Sequence, residues 1–359
     1  MFKNYFKTAL RIFRKNKATT LINVLGLSIG ISSALIIFMV VEYDFSFDKF
    51  EPAKERIYRI VTDGDGWKSA GVPAPMHETV QRSVSGIEAS APIFQYNGDG
   101  TKVAIPQGNN KPTKIFKKQE SIAFVDSNYF RIFPHEWLAG NPKVSLQNPY
   151  NLVLTKSLAQ LYFPSVSAND LIGKTVVFDD TVQTTITGII KDLKVNSDFK
   201  FKALISLSTI SSSNLKPVYN WGEWDNTNSI SQVMVKLLPG VQPAQINTQL
   251  AAIFKEHITD PVAAKDNHRL QPLSDVHTNT DFDGSVNKST VNNLVLLALF
   301  LLLLGAINFI NLSTASAAER AKEIGIRKTL GSKKSQLIWQ FLSETFLLTL
   351  CTAVLSVAI

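Results

Sequence analysis

The chain has 359 residues, an ordinary apolar content of 45%, a mean hydropathy near zero and a formal net charge of +8. A basic balance can mark a nucleic-acid partner, but the whole excess sits in two short segments, 1–17 and 319–334, and the long stretch between them is close to neutral. That distribution argues against nucleic acid and for a membrane, and the single cysteine, Cys351, leaves the middle of the chain without disulfides.

Residues 1–17 carry Lys3, Lys7, Arg11, Arg14, Lys15 and Lys17 and no acid. Phe2, Tyr5, Phe6, Ala9, Leu10 and Phe13 recur at helical spacing between these charges. The pattern predicts an amphipathic helix lying at a membrane surface, with Phe2, Tyr5, Phe6, Arg11, Phe13 and Arg14 as its contacts; a merely basic lead is the alternative. Residues 18–41 then contain no charged side chain. At about 1.5 Å per residue such a run exceeds the roughly 30 Å of a hydrocarbon core, so a transmembrane helix is expected. The basic lead and the apolar run are both too long for a signal peptide, and no small-x-small site follows Val41, which reads as a retained anchor.

Residues 42–288 read as an extracytoplasmic α+β domain, large enough to stand on its own core and expected to form two subdomains. Strands are predicted at Arg56–Thr62, at the start of AFVDSNYFRIF, at Asn151–Thr155, as a pair (TVVF and TTITGII) around Asp179–Asp180, and at ISQVMVKLL. Helices are expected at Pro75–Val84, at KSLAQLYF and at PAQINTQLAAIFKEH, the last opened by Pro243. The serine-rich stretch ISLSTISSSN is expected to be a linker or flexible loop.

This domain offers little chemistry. ANDLIGKT (168–175) nearly matches a phosphate-binding loop, with Ala168 in place of the first glycine. The residues that follow are strand-like where that mechanism needs a helix, so a turn eased by Gly173 is expected. His77 is followed by Glu78, but position 81 is Gln, and none of the five histidines has zinc-ligand spacing. DGDG (63–66) and DFDG (281–284) lack the ligand count of a calcium loop and read as turns. No catalytic residue, metal site or cofactor is expected.

A second charge-free run, residues 291–315, predicts another transmembrane helix. Residues 316–340 follow as an elbow carrying Arg320, Lys322, Arg327, Lys328, Lys333 and Lys334 against Glu319 and Glu323, with Gly325 and Gly331 as break points and Ile324, Leu330, Leu337 and Ile338 as apolar contacts. A third apolar run begins at 343 and reaches the end of the sequence. Basic clusters beside the first two spans are the positive-inside signature, so both face the cytoplasm. On these grounds the elbow fits a docking surface for a soluble partner and equally a solvated turn held by anionic lipid.

The stretch LLLLGAINFINLSTASAAERAKEIGIRKTLGSKKSQLIWQFLSETF resembles the FtsX-like permease domain of ABC transporters, especially the macrolide-exporter (MacB-type) branch. KTALRIFRKNKATTLINVLGLSIGISSALII, FVDSNYFRIFPHEWLAGNP, NLVLTKSLAQLYFP with its following IGKT, and LQPLSDVHTN resemble the same permeases. The resemblance implies a permease subunit of an exporter or efflux complex in the bacterial cytoplasmic membrane, served by a separate cytoplasmic ATPase and paired with a second permease copy or an internal repeat. The ATPase would dock on Arg320, Lys322, Glu323, Ile324, Gly325, Ile326, Arg327, Lys328 and Gly331, and its motion would pass through the helices to the outer domain. The family has at least four spans, so the resemblance also implies a fragment of a longer chain. A membrane-anchored sensor, or a non-transporting regulator of envelope hydrolases, is the alternative.

Overall fold

The computed structural model describes residues 11, 13, 14, 17–96, 100–107, 112–319, 321–331 and 334–359, and for Glu319, Lys322, Glu323 and Arg327 the backbone alone. Of the residues singled out by sequence, Phe2, Tyr5, Phe6 and Arg320 lie outside the described set. The chain divides into two compact units, one made of the segments 1–45 and 288–359 and the other of 46–287.

In the first unit three helices, Lys17–Phe45, Lys288–Glu319 and Lys334–Ala358, are long and apolar enough to cross a membrane. The first, at 29 residues, is about 44 Å long at 1.5 Å per residue. Helical hydrogen bonding runs past the ends of the apolar stretches: the first helix continues beyond 41, the second begins at Lys288, and the third already includes Lys334, ahead of 343. Backbone donors and acceptors close to a bilayer are best satisfied within the helix itself, whatever the side chains.

The sequence Gly26-Leu-Ser-Ile-Gly30 lets the first two helices approach closely. A methyl group on Gly30 would lie 3.2 Å from the Leu301 carbonyl oxygen and 3.7 Å from Gly305 Cα, and one on Gly26 would lie 2.8 Å from Asn308 Nδ2. Numbers fall along one helix as they rise along the other, so the two are antiparallel. Hydroxyls join the first helix to the third: Ser32 Oγ donates to the Ser356 carbonyl at 2.9 Å, Ser28 Oγ to the Thr352 carbonyl at 3.5 Å, and Ser356 Oγ to the Ser28 carbonyl at 3.3 Å. Here the numbers rise together, so these helices are parallel. Small residues and hydroxyls at a contact are what holds helices together in lipid, where apolar surface gains nothing by being buried. Leu21, Ile29, Phe38, Leu296, Phe300, Leu303, Phe346 and Val354 are correspondingly exposed.

The second unit is a mixed α/β domain. Its strands in chain order are β1 (Ile57–Asp63), β2 (Lys68–Ser69), β3 (Val72–Pro73), β4 (Ile87–Gln95), β5 (Thr101–Ile105), β6 (Lys114–Gln119), β7 (Ile122–Val125) and β8 (Trp137–Ala139). After these come β9 (Asn151–Thr155), β10 (Thr175–Phe178), β11 (Val182–Ile190), β12 (Ala203–Ser206), β13 (Thr227–Asn228), β14 (Ser231–Leu237) and β15 (Asn267–Pro272). Among the described residues thirteen of them form one sheet, ordered β15-β1-β14-β4-β7-β12-β9-β11-β10-β5-β6, with β2 on β1 and β8 on β11; β3 and β13 pair separately. The pairs β7–β12 and β9–β11 are parallel, whereas β1–β14, β4–β14 and β10–β11 are antiparallel.

Residues 46–287 form one compact unit, and helices pack on the shared sheet over separate apolar clusters. In one, the helices Met76–Ser83 and Pro243–His257 bury Met76, Val80, Ile246, Leu250 and Phe254 against Ile60, Val233 and Val235. In the other, the helix Lys156–Tyr162 packs Leu158 and Tyr162 over Leu152, Phe178 and Ile186. Fully burying an apolar side chain of this size contributes roughly 1.5–3 kcal/mol, so each helix is held chiefly by its inner face. The expected serine-rich linker is absent as such. Ile205 and Ser206 end β12 in the middle of the sheet, and Ser208–Ser211 forms a single helical turn. Serine reads as loop-forming, but here Ser206 Oγ donates to the Leu146 carbonyl at 2.8 Å and Ser211 Oγ to the Ser208 carbonyl, so burial leaves both hydroxyls satisfied.

Two local expectations meet their geometry. Asp179 and Asp180 both have positive φ, 46° and 59°, making the tight turn between β10 and β11. Gly173 has φ +88°, its N–H donates to the Ile186 carbonyl, and β10 follows two residues later, so the helix a phosphate loop requires is not there.

Candidate coupling surface and buried polar sites

Helix is described over Lys288–Glu319 and again over the nine residues Ala321–Thr329. The chain then turns at Gly331, whose φ of +93° is open to glycine and strained for other residues, and re-enters a helix at Lys334. The turn is closed by the Ile326 carbonyl accepting from Leu330 N–H at 3.1 Å and from Thr329 Oγ1 at 2.8 Å. Ile324 is half-buried, whereas Gly325, Ile326, Lys328 and Leu330 face outward, Ile326 at 57% exposure and Leu330 at 80%. Leu330, one residue past the helix, bonds back to the Ile326 carbonyl, so Ile326 and Leu330 lie one turn apart as an apolar pair, and Lys328, two residues from each, does not share their face. By sequence Ile324 and Leu330 are apolar contacts and, by resemblance, Ile324 and Ile326 alike are docking residues; the helical phase turns Ile326 outward and Ile324 inward. A Cβ on Gly325 would meet nothing within 4 Å, so that glycine leaves the surface flat.

Arg11 and Arg14 are exposed, and Phe13 turns inward to line a cavity of about 90 Å³ within the same unit. The cavity also meets Asn23 from the first long helix, Ser313 from the second and Glu344 from the third. Glu344 is 6% exposed and accepts from Gln340 Nε2 at 3.0 Å. Because the helices alternate in direction, the start of the first, the end of the second and the start of the third share one end of the bundle. The basic segments adjoin that end in sequence.

Sequence reasoning missed a cluster of buried charge at the start of the second unit. Asp48 and Glu51 are 2% and 3% exposed. Asp48 has φ 54°, a conformation that Asp and Asn tolerate, and its N–H donates to the Asn196 carbonyl at 3.0 Å. Neither Asp48 carboxylate oxygen has a hydrogen bond of ordinary geometry, although the Ser197 hydroxyl and the Asp198 backbone N–H are close enough to favour its charged form. Burial raises Asp48 to about 6, and the charge of Asp198 adds to the effect. Glu51 is raised to about 7, by burial and then by Asp48, against the pull of Lys236. Asp198 in turn is 3.0 Å from His277 Nδ1, and the His277 ring stacks on Phe47 with centroids 3.5 Å apart. Acids with such neighbours are invisible to periodicity; the one sequence signal is their place directly after an anchor helix.

The histidines are individually accounted for. His77 Nδ1 lies 2.5 Å from the Ala74 carbonyl, His135 Nδ1 2.8 Å from the Phe133 carbonyl and His257 Nδ1 2.8 Å from the Ile253 carbonyl. His268 Nδ1 is 3.1 Å from Thr62 Oγ1, and burial depresses its pKa to about 3. Among the described residues no group of three or more His, Cys, Asp or Glu is placed to hold a metal ion.

Residues 20–253 match the family model of the MacB-like periplasmic core domain, and residues 295–359 that of the FtsX-like permease C-terminal region. Among curated proteins, the macrolide export ATP-binding/permease protein MacB of Haemophilus ducreyi is 27% identical over 212 residues, 58% of this chain and 27% of its own length. MacB 2 of Aeromonas hydrophila is 31% identical over 135 residues, 37% of this chain and 19% of its own. The ABC transporter permease YknZ of Bacillus subtilis is 43% identical over 58 residues, 16% of this chain and 15% of its own. The chain thus spans about a quarter or less of the length of these relatives. A solved domain of a permease protein from Porphyromonas gingivalis superposes with a TM-score of 0.48 at 20% identity, covering 68% of this chain and 98% of that one. The periplasmic region of MacB from Actinobacillus actinomycetemcomitans gives 0.43 at 15% identity, covering 62% and 91%.

Proposed function

We propose that this chain, which belongs to the FtsX/MacB-type family of ABC permeases, relays the motion of a separate cytoplasmic ATPase to its outer domain, as the permease subunit of an exporter or mechanotransmission complex. The observation that carries this reading is the short helix Ala321–Thr329, set between two long apolar helices with Ile326, Lys328 and Leu330 outward. A relay needs a contact that is stiff where it meets the ATPase and joined directly to the helices it moves. The helical segment Ala321–Thr329, next in sequence to the described segment Lys288–Glu319, has that form. Single exposed ion pairs are worth only about 0–1 kcal/mol, so the apolar pair anchors the contact and the charges orient it.

In this reading the basic end of the bundle, Arg11, Arg14 and the elbow included, faces the cytoplasm of a bacterial inner membrane. Residues 42–288 are then extracytoplasmic, and the aromatic and basic residues of 1–17, Phe2, Tyr5 and Phe6 among them, rest on the inner leaflet, whereas Phe13 turns into the bundle. Arg320, Lys322, Glu323 and Arg327 complete the docking face, Gly325 and Gly331 shape it, and a second permease copy or internal repeat completes the complex. The test is purification of the protein from its host in mild detergent, with the co-purifying ATP-binding-cassette subunit identified by mass spectrometry. Ile326→Asp with Leu330→Asp should release that subunit while the permease stays in the membrane at normal abundance. Retention of the subunit in the double variant, or a wild type that brings none, refutes the assignment.

A further inference from the structure

Arg59, in β1, is 3% exposed and yet none of its hydrogen bonds goes to a carboxylate. Nε and Nη2 donate to Gln271 Oε1 at 3.1 and 2.8 Å, Nη2 also donates to the Phe282 carbonyl at 2.6 Å, and Nη1 reaches Gln232 Oε1 only at 3.4 Å. Asp198, Asp275 and Asp283 act on the guanidinium through space, and no carboxylate among the described residues lies within 4.0 Å of it. A buried cation hydrogen-bonded to neutral oxygens, with its counter-charges only at a distance, has its desolvation cost offset in part. Nη1 is the weakly used end of the fork.

Arg59 also lines a cavity of about 250 Å³ within the outer domain. Gln232 shares its buried depth, while Asp283 and Ser285 are exposed at its rim, and Asp198 and Ser229 are intermediate. One cavity therefore presents a guanidinium and two carboxylates that do not neutralise one another by contact. A simple anion would satisfy Arg59 and be repelled by Asp198 and Asp283. A simple cation would meet the reverse. A neutral polyol would compensate neither charge. Asp198 already meets His277, and Asp283 Oδ2 already accepts from the Ala70 N–H at 3.2 Å, yet neither contact answers Arg59. A small molecule bearing a carboxylate and an ammonium on one carbon matches the guanidinium and the remaining acceptor capacity of both acids, and charge-assisted bonds of that kind are about twice as strong as neutral ones.

We propose that this cavity binds a free α-amino acid as its zwitterion, with the carboxylate on Arg59 and the ammonium toward Asp198 and Asp283. The proposal goes beyond the relay reading and does not depend on an ATPase. Asp198 also meets His277, whose ring stacks on Phe47, two residues past the end of the first long helix, so the occupant touches the network that begins the outer domain.

The test is titration calorimetry on the full chain in lipid nanodiscs, with L-alanine as the probe and propionate and ethylamine as its two half-ligands. L-Alanine should bind at up to about 10 mM, and each half-ligand at least about tenfold more weakly. Asp283→Asn, at an exposed position whose φ of 57° Asn accepts, should weaken L-alanine about tenfold with the unfolding transition unchanged. Arg59→Lys keeps the charge but loses the fork, and should weaken binding of both L-alanine and propionate. The proposal is overturned if either half-ligand binds as tightly as L-alanine, or if folded chain gives no heat with L-alanine, in which case the cavity holds solvent only.

Discussion

Replacing Asp48 by Asn should stabilise the outer domain at neutral pH. Asp48 is 2% exposed, and burial raises its pKa from 3.8 to about 6. At about 1.4 kcal/mol per unit, the ionised form costs the fold roughly 3 kcal/mol relative to the neutral one. Above the folded value the side chain is ionised in both states and the full cost applies; below the unfolded value it is neutral in both and the cost is gone. Stability contributed by this group is therefore lost as pH rises from 3.8 through about 6. Asn reproduces the neutral form and keeps the left-handed backbone, so its advantage should be about 3 kcal/mol near pH 7.5 and vanish near pH 4. Urea unfolding followed by tryptophan fluorescence reads this directly, since Trp67, Trp137, Trp221 and Trp224 all lie in the outer domain. For a domain of this size the gain corresponds to roughly 6–12 °C in melting temperature. An Asn variant no more stable than wild type near pH 7.5, or equally advantaged near pH 4, would show that the carboxylate is not held at a cost.

Three further outcomes are expected. Glu51→Gln should stabilise with the same sign over a window from 4.5 to about 7, and its combination with Asp48→Asn should fall short of the sum because the two acids repel each other. By NMR the His268 ring should stay neutral until pH approaches about 3; as its folded pKa lies below the ordinary 6.5, its contribution is lost as pH falls through that interval, and a His268 titration near 6.5 would contradict the buried placement. Gly30→Leu should part the first two long helices, because even a methyl group there reaches within 3.2 Å of the Leu301 carbonyl; loss of a disulfide engineered between those helices would report it, and unchanged cross-linking would refute the close approach.

What could be read from sequence was whatever depends on local pattern. The three apolar helices follow from runs free of charge, the Asp179–Asp180 turn from two residues that tolerate positive φ, and Pro243 from its place at a helix start. ISLSTISSSN misled because its serines find partners only through the fold, Ser206 with the Leu146 carbonyl sixty residues away. Asp48, Glu51 and Arg59 stand in segments rich in charge, and nothing within a few residues marks them as buried. The Gly26–Gly30 spacing was a signal in plain view, since small residues four apart in an apolar helix mark a packing face. On the elbow, sequence supplies the charges and the glycines, and helical phase decides that Ile326 rather than Ile324 faces outward.

The hydroxyl contacts between the first and third long helices repeat every four residues on both sides, Ser28 and Ser32 facing Thr352 and Ser356. Each hydroxyl on the third helix also bonds its own preceding turn, Ser356 Oγ to the Thr352 carbonyl at 2.7 Å and Thr352 Oγ1 to the Leu348 carbonyl at 2.8 Å. A hydroxyl on the third helix therefore keeps a partner even when its neighbour slides away, whereas the Ser28 and Ser32 hydroxyls bond across the seam. Axial slip between the two helices is graduated in whole turns of about 5.4 Å, because only there do Ser32 and Thr352 come level and a rung re-form. The seam acts as a detent, resisting small drift and permitting a discrete step.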